Sequence, residues 1–238
     1  MKNLLLLIKG DVIRLLKYRI LWFSFALSLI WVMILALSQE AEAKALMPLL
    51  LVMDTGVMSI ILLASSFYYE KQENTIKSLF VSPVLIVQIL GSKIISSLLM
   101  SIVSIVFVSL TMLIVHGVVI NYLLAIVYVV LSTLAHLAIG YIIIFYSVDF
   151  ASFLIKYMAM VLILMLPTLL VFLGIIDKST EYFAIISPSY AIQLLIGSLF
   201  ESQDILKTIL SIFVLTIVPA ILFPLVVYPK FKAFAIKS

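Results

Sequence analysis

The sequence contains no cysteine, which excludes disulfides, thiol catalysis and thiolate metal sites together. Charge is also scarce. Lys, Arg, Asp and Glu make up 11% of the 238 residues against 66% hydrophobic ones, and mean hydropathy is +1.36. A water-soluble domain of this size could not cover its surface with so few charges. Apolar–polar alternation over strand length is missing, so a transmembrane barrel is not expected. The two histidines, His116 and His136, lie far apart, which gives a metal centre little support. No Gly-x-x-x-x-Gly-Lys-Ser/Thr run occurs, and "GSK" at 91–93 lacks both the upstream glycine and the trailing hydroxyl. The chain is therefore not expected to bind ATP through such a loop. The net charge of +4 sits beside apolar runs rather than in a nucleic-acid-binding patch, and no internal repeat or low-complexity segment is visible.

Long apolar runs dominate what remains. A run of about 20 residues crosses a hydrocarbon core about 30 Å thick. Apolar length and boundary charge predict six spans, near 20–38, 46–69, 93–115 (with an interfacial lead-in from Val84), 119–146, 153–176 and 206–228. The expected class is an all-α polytopic membrane protein forming one domain over 1–238. Placing the N-terminus in the cytoplasm puts twelve Lys and Arg residues inside and only Lys44, Lys178 and Lys207 outside, a clear positive-inside bias. Both termini are thus expected in the cytoplasm of a multi-pass cell-membrane protein. Residues 181–200, "EYFAIISPSYAIQLLIGSLF", are apolar enough for a seventh span. A seventh would carry Lys230, Lys232 and Lys237 outside, and Ser187-Pro188 breaks the run into pieces too short to cross. A re-entrant helical hairpin at the outer face is expected instead, packed against protein.

The start, "MKNLLLLIKGDVIRLLKYRI", has a basic beginning and a short apolar run, but no small-residue cleavage site follows. It is not expected to be a signal peptide. Residues 1–19 are predicted to form an interfacial amphipathic helix, with Leu5, Ile8, Val12, Leu15 and Leu16 on one face and Lys2, Lys9 and Lys17 near the headgroups. Lys9, Asp11 and Arg14 would be costly deeper in lipid.

One short stretch is out of keeping with the rest. "YYEKQENTIKSLFVSPV", residues 68–84, gathers Glu70, Lys71, Glu73 and Lys77 between two long apolar runs. Ile76, Leu79 and Phe80 fall at i, i+3 and i+4 and share one helical face. Ser82-Pro83 then stops the helix, since proline lacks an amide proton and restricts the residue before it. The spacing predicts a short amphipathic rod joining spans two and three at the cytoplasmic face.

Residues 69–95, "YEKQENTIKSLFVSPVLIVQILGSKII", resemble the signature region of ABC-2-type permeases, the membrane subunits of ATP-binding-cassette exporters. The likeness lies in Glu70, Lys71, Glu73, Thr75, Leu79, Ser82, Pro83, Gly91 and Lys93. Asn74 stands where glycine is common in that family, and asparagine tolerates left-handed backbone better than most residues. The interfacial N-terminal helix, six spans and broken segment before the last span extend the likeness over the whole chain. More loosely, it is similar to small bacterial drug-export permeases of the fluoroquinolone-export type.

The resemblance implies that 70–83 is a coupling helix docking on a cytoplasmic ABC ATPase, through Glu70, Glu73, Asn74, Thr75, Ile76, Leu79, Phe80, Ser82 and Pro83. It implies no cofactor in this chain, with ATP and Mg bound by the separate ATPase. A second permease copy or homologous permease is needed to complete the pore. The chain itself would be non-catalytic and form the path for a drug, peptide, lipid or other amphiphilic substrate.

Asp54, Met58 and His136 are the candidates for that path. An intramembrane carboxylate is a functional candidate by default, although Asp54 could instead reach outer water or bond Ser and Thr hydroxyls. For His136 an interhelical hydrogen bond is the expectation over a ligand. Asp149 and Lys156, flanking one inner loop, are expected to pair. Two rival classes remain open. A membrane-embedded enzyme calls for convergent Ser/His, paired carboxylates or a metal cluster, and a secondary transporter for internal repeats and midplane charges.

Overall fold

The computed structural model describes residues 2–75, 78–79, 82–177 and 180–237, the side chains of Lys2 and of 233–237 excepted. All regular structure among them is helical. In chain order the helices are α1 (Lys2–Lys17), α2 (Ile20–Leu37), α3 (Glu40–Val52), α4 (Ser59–Gln72), α5 (Ile86–His116), α6 (Tyr122–Phe145), α7 (Phe150–Phe172), α8 (Glu181–Ala184), α9 (Pro188–Gly197), α10 (Ile205–Leu222) and α11 (Tyr228–Lys237). Widened π turns at Met53–Met58 and Phe223–Val227 join α3 to α4 and α10 to α11 without a break. The continuous units Ile20–Leu37, Glu40–Gln72, Ile86–His116, Tyr122–Phe145, Phe150–Phe172 and Ile205–Lys232 are six helices long and apolar enough to cross a membrane.

The central pillar is α3–α4, most of whose residues are buried, whereas α2, α7 and α10 turn most of theirs outward. Their outward residues include Trp22, Phe23, Ile155, Leu162 and Phe213, a surface suited to lipid rather than to water. Inside, one apolar cluster holds Leu51, Val129, Met165, Tyr190 and Leu195. A second holds Leu63, Phe67, Tyr141, Phe153 and Phe231. The π turn at 53–58 lies in sequence between the α3 and α4 contributions to the two clusters, and buried polar groups gather around it.

Three sequence expectations change. Helix α5 runs unbroken from Ile86, so Lys93 lies within it and is buried rather than standing at a span boundary. On α1, Leu5 and Leu16 are exposed while Asp11 and Leu15 are buried, so the face turned to the bundle carries a carboxylate. Asp149 and Lys156 do not pair. Asp149 instead caps α7 by accepting from the Ser152 amide (2.7 Å), and the Lys156 ammonium donates to the Tyr146 carbonyl. Serving an otherwise orphaned helix-end amide outweighs an exposed ion pair.

Residues 181–200 form two short helices, α8 and α9, with Ser187 extended between them and Pro188 opening α9. Proline fits there because the first amide of a helix has no partner within it. Helix α9 packs on α3, α6, α7 and α10, which buries Tyr190, Ala191, Ile192 and Leu195.

Candidate functional site

The residues that mark the 69–95 region come together at one end of the bundle, and α1 supplies their partners. Arg14 is the hub. Its Nη1 donates to Glu70 Oε1 (2.7 Å) and Asp11 Oδ1 (3.2 Å), and its Nε donates to Glu73 Oε2 (3.1 Å). Lys93 of α5 approaches from the other side, with Nζ 2.6 Å from Glu70 Oε2, 3.2 Å from Asp11 Oδ1 and 3.0 Å from the Ser66 hydroxyl. The hydroxyls of Ser66 and Ser92 also donate to Asp11, at 3.0 and 2.7 Å. At the rim, Glu73 Oε1 accepts from Lys17 (3.0 Å) and the Tyr18 hydroxyl (2.7 Å). Tyr18 stacks on Tyr69 with ring centroids 3.7 Å apart.

Three carboxylates thus meet three cations, and Asp11, Glu70 and Lys93 are almost fully buried. Buried charge is tolerated when every ion is paired and its remaining hydrogen-bonding capacity is filled. Burial pushes the Asp11 carboxyl upward, but the Lys93 charge and the bonds from Ser92, Lys93 and Ser66 outweigh it and hold it below its ordinary value. The Tyr18 hydroxyl, then Lys17 and Arg14, hold Glu73 down to about 2. Burial draws the Arg14 guanidinium down, but Glu70, Glu73 and Asp11 together raise it above its ordinary value.

The chain turns sharply just beyond this cluster. Asn74 takes left-handed backbone with φ 55°, and its amide donates to the Lys71 carbonyl at 3.2 Å. A left-handed residue is a common way to end a helix, and asparagine is among the few non-glycine residues that adopt it readily. The Thr75 hydroxyl donates back to the Glu70 carbonyl (3.1 Å), while Thr75, Ser78 and Leu79 are helical. The Ser82 hydroxyl donates to the Leu79 carbonyl (2.6 Å), and Asn3 of α1 reaches the Pro83 carbonyl at 3.4 Å. Lys71 Nζ donates to the Val148 carbonyl (3.0 Å), tying the segment to the α6–α7 loop. Ile76 and Phe80, expected on the apolar face of this segment, lie outside the described residues.

Asp54, Met58 and His136 lie elsewhere, buried at the level of the first π turn. Asp54 accepts hydroxyl hydrogen bonds from Ser28 of α2 (3.0 Å) and Ser104 of α5. It has no basic partner among the described residues. His136 Nδ1 lies 2.8 Å from the Ser132 carbonyl and Nε2 lies 3.0 Å from the Ser189 hydroxyl. A carbonyl only accepts, so Nδ1 carries the proton and Nε2 accepts from Ser189. Such a hydroxyl–imidazole pair has the form of a nucleophile and its base. The adjoining cavity, between Gly56, Tyr157 and Met160, measures about 10 Å³, room for about one water and no substrate. Here the pair ties α6 to α9. Met58 is buried against its neighbours and does not join Asp54 or His136 in a common polar site.

The sequence pointed to Glu70, Glu73 and Lys93, but not to Asp11, Arg14, Ser66 or Ser92 as their partners. One signal was present: Asp11 is the lone acid in α1 and precedes Arg14 by three residues, the spacing of one helical face. Compared with known proteins, the chain matches no family model and no curated protein.

Proposed function

We propose that the chain is the transmembrane permease subunit of an ATP-driven ABC exporter, forming a path for an amphiphilic substrate while a separate ATPase hydrolyses ATP. One observation carries the reading. The segment that resembles a coupling region is fastened by buried charge to an amphipathic N-terminal helix on one side and to the next apolar helix on the other. A push on residues 74–83 would then be passed to α4 and α5 through ion pairs. Without those pairs, a flexible loop would absorb it.

In this reading α1 lies in the cytoplasmic interface. Its outward Leu5, Leu6, Ile13 and Leu16 meet the acyl boundary and Lys9 the headgroups. Residues 70–83 face the ATPase, and α8–α9 form a re-entrant pair near the outer face. The distribution of cations supports this sidedness. Lys9, Arg14, Lys17, Arg19, Lys71, Lys93, Lys156 and Lys230 belong to the end that holds α1 and the 146–150 loop, whereas Lys44 and Lys207 belong to the other. A second permease copy, seated on the outward apolar faces, would complete the path.

Purification of the tagged full chain from its native membranes in mild detergent tests the proposal. The expected outcome is stoichiometric retention of a soluble polypeptide bearing Walker motifs, together with ATP hydrolysis. A chain that purifies alone, and supports vectorial transport alone, would overturn it.

A further inference from the structure

The three buried carboxylates of the bundle, Asp11, Asp54 and Glu70, are not served alike. Asp11 and Glu70 face Arg14 and Lys93, and four donors reach Asp11 over both of its oxygens. Asp54 is 4% exposed. Among the described residues it meets only the hydroxyls of Ser28 and Ser104, and both lie on the same oxygen, Oδ2. The ionisable groups of the surrounding elements are distant or already bonded. Helix α2 has none between Ile20 and Leu37. In α5, Lys93 and His116 stand eleven and twelve residues from Ser104, about 17 Å along the helix. Along α3–α4 the nearest charged residues are Lys44 and Glu70, ten and sixteen residues from Asp54. His136 of α6 is taken up by Ser132 and Ser189, and the Tyr157 hydroxyl of α7 donates to the Val57 carbonyl (2.6 Å). Lys2, Lys77, Lys178 and Lys237 fall in sequence outside the six spanning helices, whereas Asp54 lies near the middle of Glu40–Gln72.

We propose that Asp54 is a proton-binding site, in which an exchangeable proton held with Ser28 and Ser104 is the counter-ion of the carboxylate. A charge taken out of water must be matched by another charge or removed, and no described cation matches this one. Hydrogen-bond accounting supports the proton. Ser28 has one hydroxyl proton but two acceptors in reach, the Ser24 carbonyl of its own helix (3.2 Å) and Asp54 Oδ2 (3.0 Å). With a proton on Oδ2, the acid donates to Ser28 Oγ, Ser28 donates to the Ser24 carbonyl, and Ser104 donates to the carboxyl. Each hydroxyl then donates once, and no two acceptors contend for one proton. A hard metal ion is a poorer fit, since it takes about six oxygens or more, and these side chains offer two carboxylate and two hydroxyl oxygens. The two serines stand on different helices, α2 and α5, so the proton is held while both are closed on the π turn. Water admitted between them would solvate the carboxylate and release the proton. The site goes beyond the permease reading, because it requires neither ATP nor a partner chain.

The test is infrared spectroscopy of the full chain in nanodiscs of ether lipids, which have no ester carbonyl of their own. A protonated carboxyl shows a C=O stretch that a carboxylate lacks, and the stretch moves when deuterium replaces the proton. At neutral pH in sodium-free buffer the wild type should show this band, displaced in D2O and lost in Asp54→Asn. Asp11 and Glu70 should not contribute, because both face cations. Ser28→Ala, which removes the hydroxyl that receives the acid's proton, should shift the band without abolishing it. Asparagine has nearly the shape of a neutral acid, so Asp54→Asn should keep the fold, which its elution profile would verify. If that variant does not fold, the shift in Ser28→Ala assigns the band by itself. Absence of an acid band from the wild type at neutral pH, a band unchanged in both variants, or a band abolished by sodium at constant pH would overturn the proposal.

Discussion

At the scale of single residues, Lys93 decides most. It is buried about two turns into the apolar helix α5 and answers two carboxylates at once. Removing one partner from a buried charge network leaves an uncompensated ion, a loss of about 3–5 kcal/mol. Lys93→Met should therefore lower the thermal unfolding midpoint in detergent sharply. The double variant Asp11→Asn/Lys93→Met leaves two acids against two bases and should unfold closer to the wild type than Lys93→Met alone. Glu73 gives the network a pH signature. Its carboxyl falls from an ordinary 4.5 to about 2 in the folded chain. A depressed acid stabilises the fold above its unfolded value, and that stabilisation is lost as pH falls through the folded one. Acid should thus loosen the α1–α4 contact between about pH 4.5 and 2. Glu73→Gln should flatten that part of a stability–pH curve while lowering stability at neutral pH.

Among the elements, the π turn at 53–58 sets the register of the polar layer. Gly56 is there because nothing larger fits. A Cβ on it would sit 2.9 Å from His136 Nε2, the atom that receives the Ser189 hydrogen bond. Gly56→Ala should displace the imidazole and cost about 1–3 kcal/mol, as overpacking does. Combined with His136→Ala, the two losses should be less than additive in a double-mutant cycle. This contact was not legible in the sequence, because a π turn leaves no mark in hydrophobic periodicity. The spans were legible, since lipid demands long apolar runs and Lys and Arg mark their ends. The broken stretch at 181–200 was legible through Ser187-Pro188. The face of α1 was not. Leu4, Leu7 and Leu15 lie opposite Leu5, Leu6 and Ile13, so both faces are apolar and only the distant Glu70 and Lys93 decide which turns inward. The left-handed turn at Asn74 could be anticipated from residue type alone.

At the scale of the whole molecule, the two ends are built differently. One end concentrates basic residues and locks α1, α4 and α5 together by charge. The other holds the short helices α8 and α9 beside a cavity of about 780 Å³. Six apolar helices join them, and α3–α4, the most buried of these, runs from the cavity to the ion network. In the proposed function, the segment beyond Glu73 receives a partner ATPase. Leu79 is its best reporter, a helical, part-exposed apolar residue. A photocross-linking amino acid at Leu79, activated in native membranes, should form a single adduct whose mass-spectrometric peptides carry Walker motifs. The same probe at Ser202, beside the opposite cavity, should form none. A Leu79 adduct to a protein without nucleotide-binding motifs, or none while the Ser202 probe captures the ATPase, would contradict the account.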